Sequence, residues 1–148
     1  MDDLYKVKQL RESIRLMERK LGVLDDSNVS CCSVSLTQCH ALVEIGRAKS
    51  ISLIELSELL NLDNSTMSRT VNNLVKNGLV ERELDKKDRR YVTIKLSESG
   101  INIFESIEEN MNLYYTKVFQ SIPFEKQEQV LESMQILLDA LSTSEVQI

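Results

Sequence analysis

Two groups of side chains in this 148-residue chain have the types and spacing to do chemistry. Ser65, Thr66, Ser68, Arg69, Asn72 and Asn73 place short hydroxyl, amide and guanidinium groups in one stretch, and Lys86, Lys87, Arg89 and Arg90 bunch soon after it. Groups of the first kind can reach phosphate oxygens and base edges in a major groove, and long cations can enter an adjacent minor groove. Asp88 lies among those cations, where it could hold one arginine through a charge-assisted bond. The second group is Cys31-Cys32, six intervening residues, then Cys39-His40, the single histidine of the chain. Thiolates and an imidazole so close could hold zinc or a softer thiophilic metal or metalloid ion such as copper(I), mercury or arsenite, or could oxidise as a redox switch. Against this, neighbours on a helix differ by about 100° in direction, so one ion would rarely take both Cys39 and His40. That divergence also argues against a nucleophile and its base, and with it against an enzyme.

The first group needs a helix to display it. Met67, Val71, Leu74 and Val75 recur at helical spacing after the polar turn Asp63-Asn64, which leaves the hydroxyls, asparagines and Arg69 at or near the opposite side. The start of this helix offers free amides and a positive dipole end to a phosphate, and Gly78 is its natural C-terminal cap. Before it, Ser52-Leu53-Ile54-Glu55 fits a capping box opening a short helix that ends near Asn61. After it, Leu79–Leu84 and Tyr91–Leu96 alternate or carry β-branched residues around the charged loop 85–90, which predicts a hairpin with a basic tip. Two short helices, a tight turn and a basic hairpin make a helix-turn-helix with a wing.

The flanks read as longer helices. Leu4, Val7, Leu10, Ile14, Met17 and Leu21 predict a helix over residues 3–22, closed by Gly22 and the polar run 25–28. A second helix over 35–47, capped by Ser35 or Thr37, has Leu36, Cys39, Leu42, Val43 and Gly46 along its inward stripe. A buried cysteine there behaves as a small hydrophobe. Ser97 caps a helix running to about Phe119 with Ile101, Phe104, Ile107, Met111, Tyr114 or Tyr115, and Val118 in a near-heptad stripe, and Pro123 opens a final helix. These stripes carry more apolar surface than a lone small winged helix needs, so a second copy should cover part of them.

Composition agrees. Four glycines, one proline and 42% hydrophobic residues favour a mostly helical domain with a small β-hairpin wing, and exclude disordered, collagen-like and disulfide-scaffold chains. The absence of a long apolar run or a signal-like start predicts a cytoplasmic protein with reduced thiols. Net charge is −5, yet between Ser65 and Lys95 eight basic residues face four acidic ones, so this segment is +4 and the remainder −9. A basic segment on an acidic body suits double-stranded DNA, because phosphate neutralisation acts locally. A winged helix that binds protein without sequence-specific DNA binding is the alternative, and a steep salt dependence on duplex DNA separates the two.

The run Leu56-Ser57-Glu58-Leu59-Leu60, Ser65 to Val71, Leu74 to Arg82, Asp88-Arg89-Arg90 and Val92 to Gly100 resembles the MarR transcriptional regulators. The resemblance implies a single domain over 1–148, with a winged helix-turn-helix over 34–100 and a helical dimerisation region over 1–33 and 101–148. It implies a homodimeric repressor; a two-fold dimer then predicts a palindromic operator, and a small-molecule ligand, a metal or metalloid ion or a thiol modification would release it. Ser65, Thr66, Ser68 and Arg69 would meet that operator, and Arg89 or Arg90 would touch the minor groove. Cys31 or Cys32 and Cys39 or His40 match two of the ligand sources of zinc-responsive members, but the fifth helix offers Glu105, Glu108, Glu109 and Asn112 where those members carry histidines.

Overall fold

The computed structural model describes residues 3–144 apart from Ser33, Lys86, Arg89 and Arg90, and only the backbone over 23–32. Six α-helices and three strands follow in the order α1 (Asp3–Cys32), α2 (Leu36–Ala48), β1 (Ile51–Ser52), α3 (Leu53–Leu60), α4 (Asn64–Lys76), β2 (Val80–Leu84), β3 (Val92–Leu96), α5 (Glu98–Ser121) and α6 (Gln127–Thr143). The chain divides into two compact units, residues 1–107 and 108–148.

The caps follow from the residues at the boundaries. Ser35 accepts from the Gln38 amide while the Gln38 side chain takes the Ser35 amide, so α2 starts in a reciprocal box that satisfies two otherwise orphaned donors. Ser52 accepts from the Glu55 amide at 3.1 Å and opens α3. Asn61 stops that helix in the left-handed conformation, φ 53° and ψ 47°, which asparagine tolerates better than most side chains. Gly78 has φ 74°, as the sequence reading of a glycine cap requires.

Cys39, Ala41, Leu42 and Ile45 of α2, Leu56 of α3, Met67, Val71 and Leu74 of α4, Val80 of β2, Ile94 of β3 and Ile107 of α5 form the buried core of the first unit. Val75 is only half-buried, and Thr70 takes a place in the core with its hydroxyl donating to the Thr66 carbonyl at 2.9 Å. Leu36 and Val43 also depart from the predicted inward stripe of α2: Leu36 is exposed, Val43 half-buried, and Ala41 and Ile45 fill the core.

Three further expectations need correction. The first helix continues through Gly22 to Cys32, because an interior glycine costs only about 1 kcal/mol against alanine and nothing else in 22–28 forbids helix. The hairpin is part of a three-stranded antiparallel sheet, order β1-β3-β2, in which Ile51 pairs with Ile94 and Val80 with Leu96. Pro123 leads into a single 3-10 turn at Phe124–Lys126, and α6 begins only at Gln127.

In the second unit the Gln127 amide donates to the Phe119 and Ile122 carbonyls at 3.2 and 3.3 Å, satisfying acceptors that the end of α5 leaves open. None of the α6 residues is buried, and Leu131, Ile136, Leu138 and Leu141 are more than half exposed. Among the described residues no helix is long and apolar enough to cross a membrane.

Candidate nucleic-acid interface

The outer face of α4 follows from burial of the inner one. With Met67, Val71 and Leu74 turned into the core, Ser65, Arg69, Asn73 and Lys76 are exposed along a single stripe, and Thr66, Ser68 and Asn72 flank it half-buried. Most of the predicted set is therefore gathered on one surface. The exception is Asn72, whose Oδ1 is buried without a hydrogen-bond partner, so its acceptor points away from any groove.

The N-terminal turn of α4 differs from the phosphate-ready end anticipated above. Asp63 is its N-cap and accepts from the Thr66 amide at 3.1 Å and the Thr66 hydroxyl at 2.5 Å. The Thr66 hydroxyl bond, and then the Thr66 amide bond, hold the Asp63 carboxyl well below its ordinary range, at about 2. Arg69 Nη2 donates to the Thr66 hydroxyl at 3.4 Å, so a chain of contacts runs Asp63–Thr66–Arg69 along the first turns. Asp63 was legible only as a turn residue; aspartate three positions before Thr66 at a helix start was the signal that could have found it.

The wing rises from β2 and β3. Asp85 N–H donates to the Tyr91 carbonyl, Tyr91 N–H to the Asp88 carbonyl, and the Asp85 carboxylate accepts from the Lys87 amide at 2.8 Å. Asp85, which the sequence reading passed over, thus orders the loop that carries Lys87, an exposed side chain. Lys86, Arg89 and Arg90 lie outside the described residues, and with them the arginine that Asp88 was expected to hold. Lys95, counted above among the basic residues, is committed within the sheet: its ammonium lies 2.7 Å from Glu83 and 3.9 Å from Glu81. The hydrogen bond and charge of Glu83, then the charge of Glu81, raise its pKa.

The wing and α4 are tied to the start of α5. The Ser97 hydroxyl donates to the Gly78 carbonyl at 2.5 Å and accepts from the Gly100 amide at 3.1 Å, while Ser97 N–H donates to the Leu79 carbonyl at 3.0 Å. Ser97 is the predicted cap and also the link from the end of α4 to α5.

Cys39 is buried and His40, the next residue, exposed, as their angular separation on a helix requires. Among the described residues no group of three His, Cys, Asp or Glu side chains is placed to hold a metal ion. The side chains of Cys31 and Cys32 lie outside the described residues.

The family model that matches this chain is the MarR family, over residues 34–92. The multiple antibiotic resistance protein MarR of Escherichia coli is 30% identical over 104 residues, which are 70% of this chain and 72% of that protein. Among solved structures, a MarR family protein from Bacillus stearothermophilus superposes with a TM-score of 0.85 at 23% identity, covering 96% of this chain and 99% of that one. FabT of Streptococcus pneumoniae, solved in complex with DNA, gives a TM-score of 0.81 at 21% identity over 93% of this chain and 99% of its own. With the exposed polar stripe of α4, the β2–β3 hairpin and the Ser97 link already in place, this chain belongs to the MarR family of winged-helix, DNA-binding transcriptional regulators.

Proposed function

We propose that this regulator is a homodimeric repressor that reads a palindromic operator with α4 and its wing, and that an effector releases it. As a member of a family of regulators it is not an enzyme. The observation that carries the operator reading is the α4 stripe of Ser65, Arg69, Asn73 and Lys76, exposed opposite a fully buried Met67–Val71–Leu74 face. Ser68 at the edge of that stripe and the wing cations Lys86, Lys87, Arg89 and Arg90 extend the contact onto the phosphates and the minor groove. Dimerisation is supported by the apolar faces of α1 and α6, where Leu4, Val7, Leu131, Ile136, Leu138 and Leu141 are each at least half exposed, more than a monomer normally leaves to water. A two-fold dimer sets two α4 helices against half-sites about one helical turn apart, and occupancy of such a site blocks a promoter without further machinery.

Release requires an effector that favours a dimer whose α4 helices no longer match that spacing. A cavity of about 360 Å³ within the first unit, lined by Gly46, Lys49, Lys95, Leu96, Ile101, Phe104 and Glu105, has the size for a small molecule. A thiophilic ion or thiol modification at Cys31, Cys32, Cys39 or His40 is the other route.

Fluorescence anisotropy on the duplex upstream of the protein's own coding region tests the reading. Arg69→Ala relaxes sequence preference, whereas Lys87→Ala weakens binding to all sequences alike and lowers the salt slope by about one. Parent-like binding by both variants refutes the surface. Adding one equivalent of a thiophilic ion to the reduced protein then separates the two routes of release.

A further inference from the structure

The hydroxyl of Thr66 at the start of α4 points its proton inward. Thr66 Oγ1 donates to Asp63 at 2.5 Å, so its oxygen presents only lone pairs to whatever approaches. Asp63 itself is exposed and ionised at neutral pH, and its carboxylate has already taken the Thr66 amide, one of the amides a phosphate would otherwise use. This turn is therefore rich in acceptors and negative, and it repels the DNA backbone. One turn further along, Arg69 presents donors. The rise from Asp63 to Arg69 is about 9 Å, under three base-pair steps of about 3.4 Å. Hydrogen-bonding character thus inverts along α4 over the span of a few base pairs. In the major groove the only donors are the exocyclic amino groups of adenine and cytosine, and the preferred partner of an arginine fork is guanine.

Resting on the assignment of α4 as the recognition helix, we propose that Asp63, with the Thr66 hydroxyl it orients, is a specificity-determining residue that selects an amino-bearing base, cytosine or adenine, within three base-pair steps of a guanine read by Arg69. Asp63 acts on DNA in two ways. It accepts from that amino group, and it sets a charge against phosphates that would draw the helix end off the base edges. It also positions Arg69, whose guanidinium leans on the Thr66 oxygen that Asp63 holds.

The test is selection from randomised duplexes by the full-length protein, followed by anisotropy on the selected site and on single-base variants of it. The parent selects a half-site with cytosine or adenine within three steps of a guanine and prefers that base about tenfold, near the low end for one base contact. Asp63→Ser and Asp63→Asn both keep an N-cap, so both variants fold with thermal melts close to the parent's. In Asp63→Ser the amino-base preference falls below about twofold, the guanine preference weakens less, and affinity for unrelated duplex rises severalfold. Arg69→Ala loses the guanine preference and keeps the other. A selected half-site without an amino-bearing base at that distance overturns the proposal, as does an Asp63→Ser variant with the parent's base preferences throughout. A parent that binds duplex DNA without selecting any sequence overturns the operator reading itself.

Discussion

The junction between the wing and α5 is close enough to put a number on one methyl group. A Cβ built on Gly100 falls 2.0 Å from the Leu79 carbonyl oxygen and 3.0 Å from its carbon, whereas ordinary carbon–oxygen contacts begin near 3.3 Å. The obstacle is backbone, so no rotamer change relieves it, and Leu79 or the first turn of α5 must move by more than 1 Å. The same oxygen accepts from Ser97 N–H at 3.0 Å, so the movement also breaks a hydrogen bond. Overpacking of this kind costs about 2 kcal/mol, and the bond about 1 kcal/mol. Alanine recovers about 1 kcal/mol of helix propensity. Gly100→Ala is therefore destabilised by about 2 kcal/mol, a fall of about 4–8 °C in melting temperature for a chain of this size. Gly22 is the internal control, because it lies within α1 and a Cβ there meets nothing within 4 Å. Gly22→Ala keeps the propensity gain without the clash and is stabilised by up to about 1 kcal/mol. Both are measured by urea unfolding and thermal melts at equal chain concentration, since association shifts apparent stability. A Gly100→Ala protein as stable as Gly22→Ala would refute the reasoning.

Other perturbations follow from the same contacts. Asp63 has its carboxyl pushed down to about 2 from an ordinary 3.8, so its contribution is present above about pH 4 and is lost as pH falls toward 2. The stability difference between parent and Asp63→Ala, read from melts across pH 6 to 2, should close over that window; a difference that does not change with pH would remove the charge from the account. Ser97→Ala deletes both the cap of α5 and its bond to the Gly78 carbonyl, and denaturant unfolding should show a loss of about 1–2 kcal/mol, most of it restored in Ser97→Thr. Gly46→Ala drives a Cβ to 2.5 Å from the Phe104 ring, and pairing it with Phe104→Leu should recover stability, because here the obstacle is a side chain that can be replaced.

What the sequence made legible was local. Ser35, Ser52, Gly78 and Ser97 mark element ends because a cap is a contact between residues three or four apart, and the Met67–Val71–Leu74 face is legible because a helix repeats on that scale. The misses are of another kind. Two residues of β1 carry no periodicity, and only pairing with β3, some forty positions away, makes them a strand. Gly46 was legible as part of the inward stripe of α2, but Phe104 as its neighbour was not, nor was the close approach of the Leu79 carbonyl to Gly100. Gly22 misled in the opposite sense, since a local penalty of about 1 kcal/mol is a bias that a long helix overrides. Thr66 shows the limit most sharply. Composition shows that it brings a hydroxyl, and a hydroxyl both donates and accepts. Which of the two it offers to a partner is decided by where its proton already goes. Asp63 takes that proton and the Thr66 amide, so a residue that reads in sequence as turn chemistry makes the start of α4 a negative, acceptor-rich end.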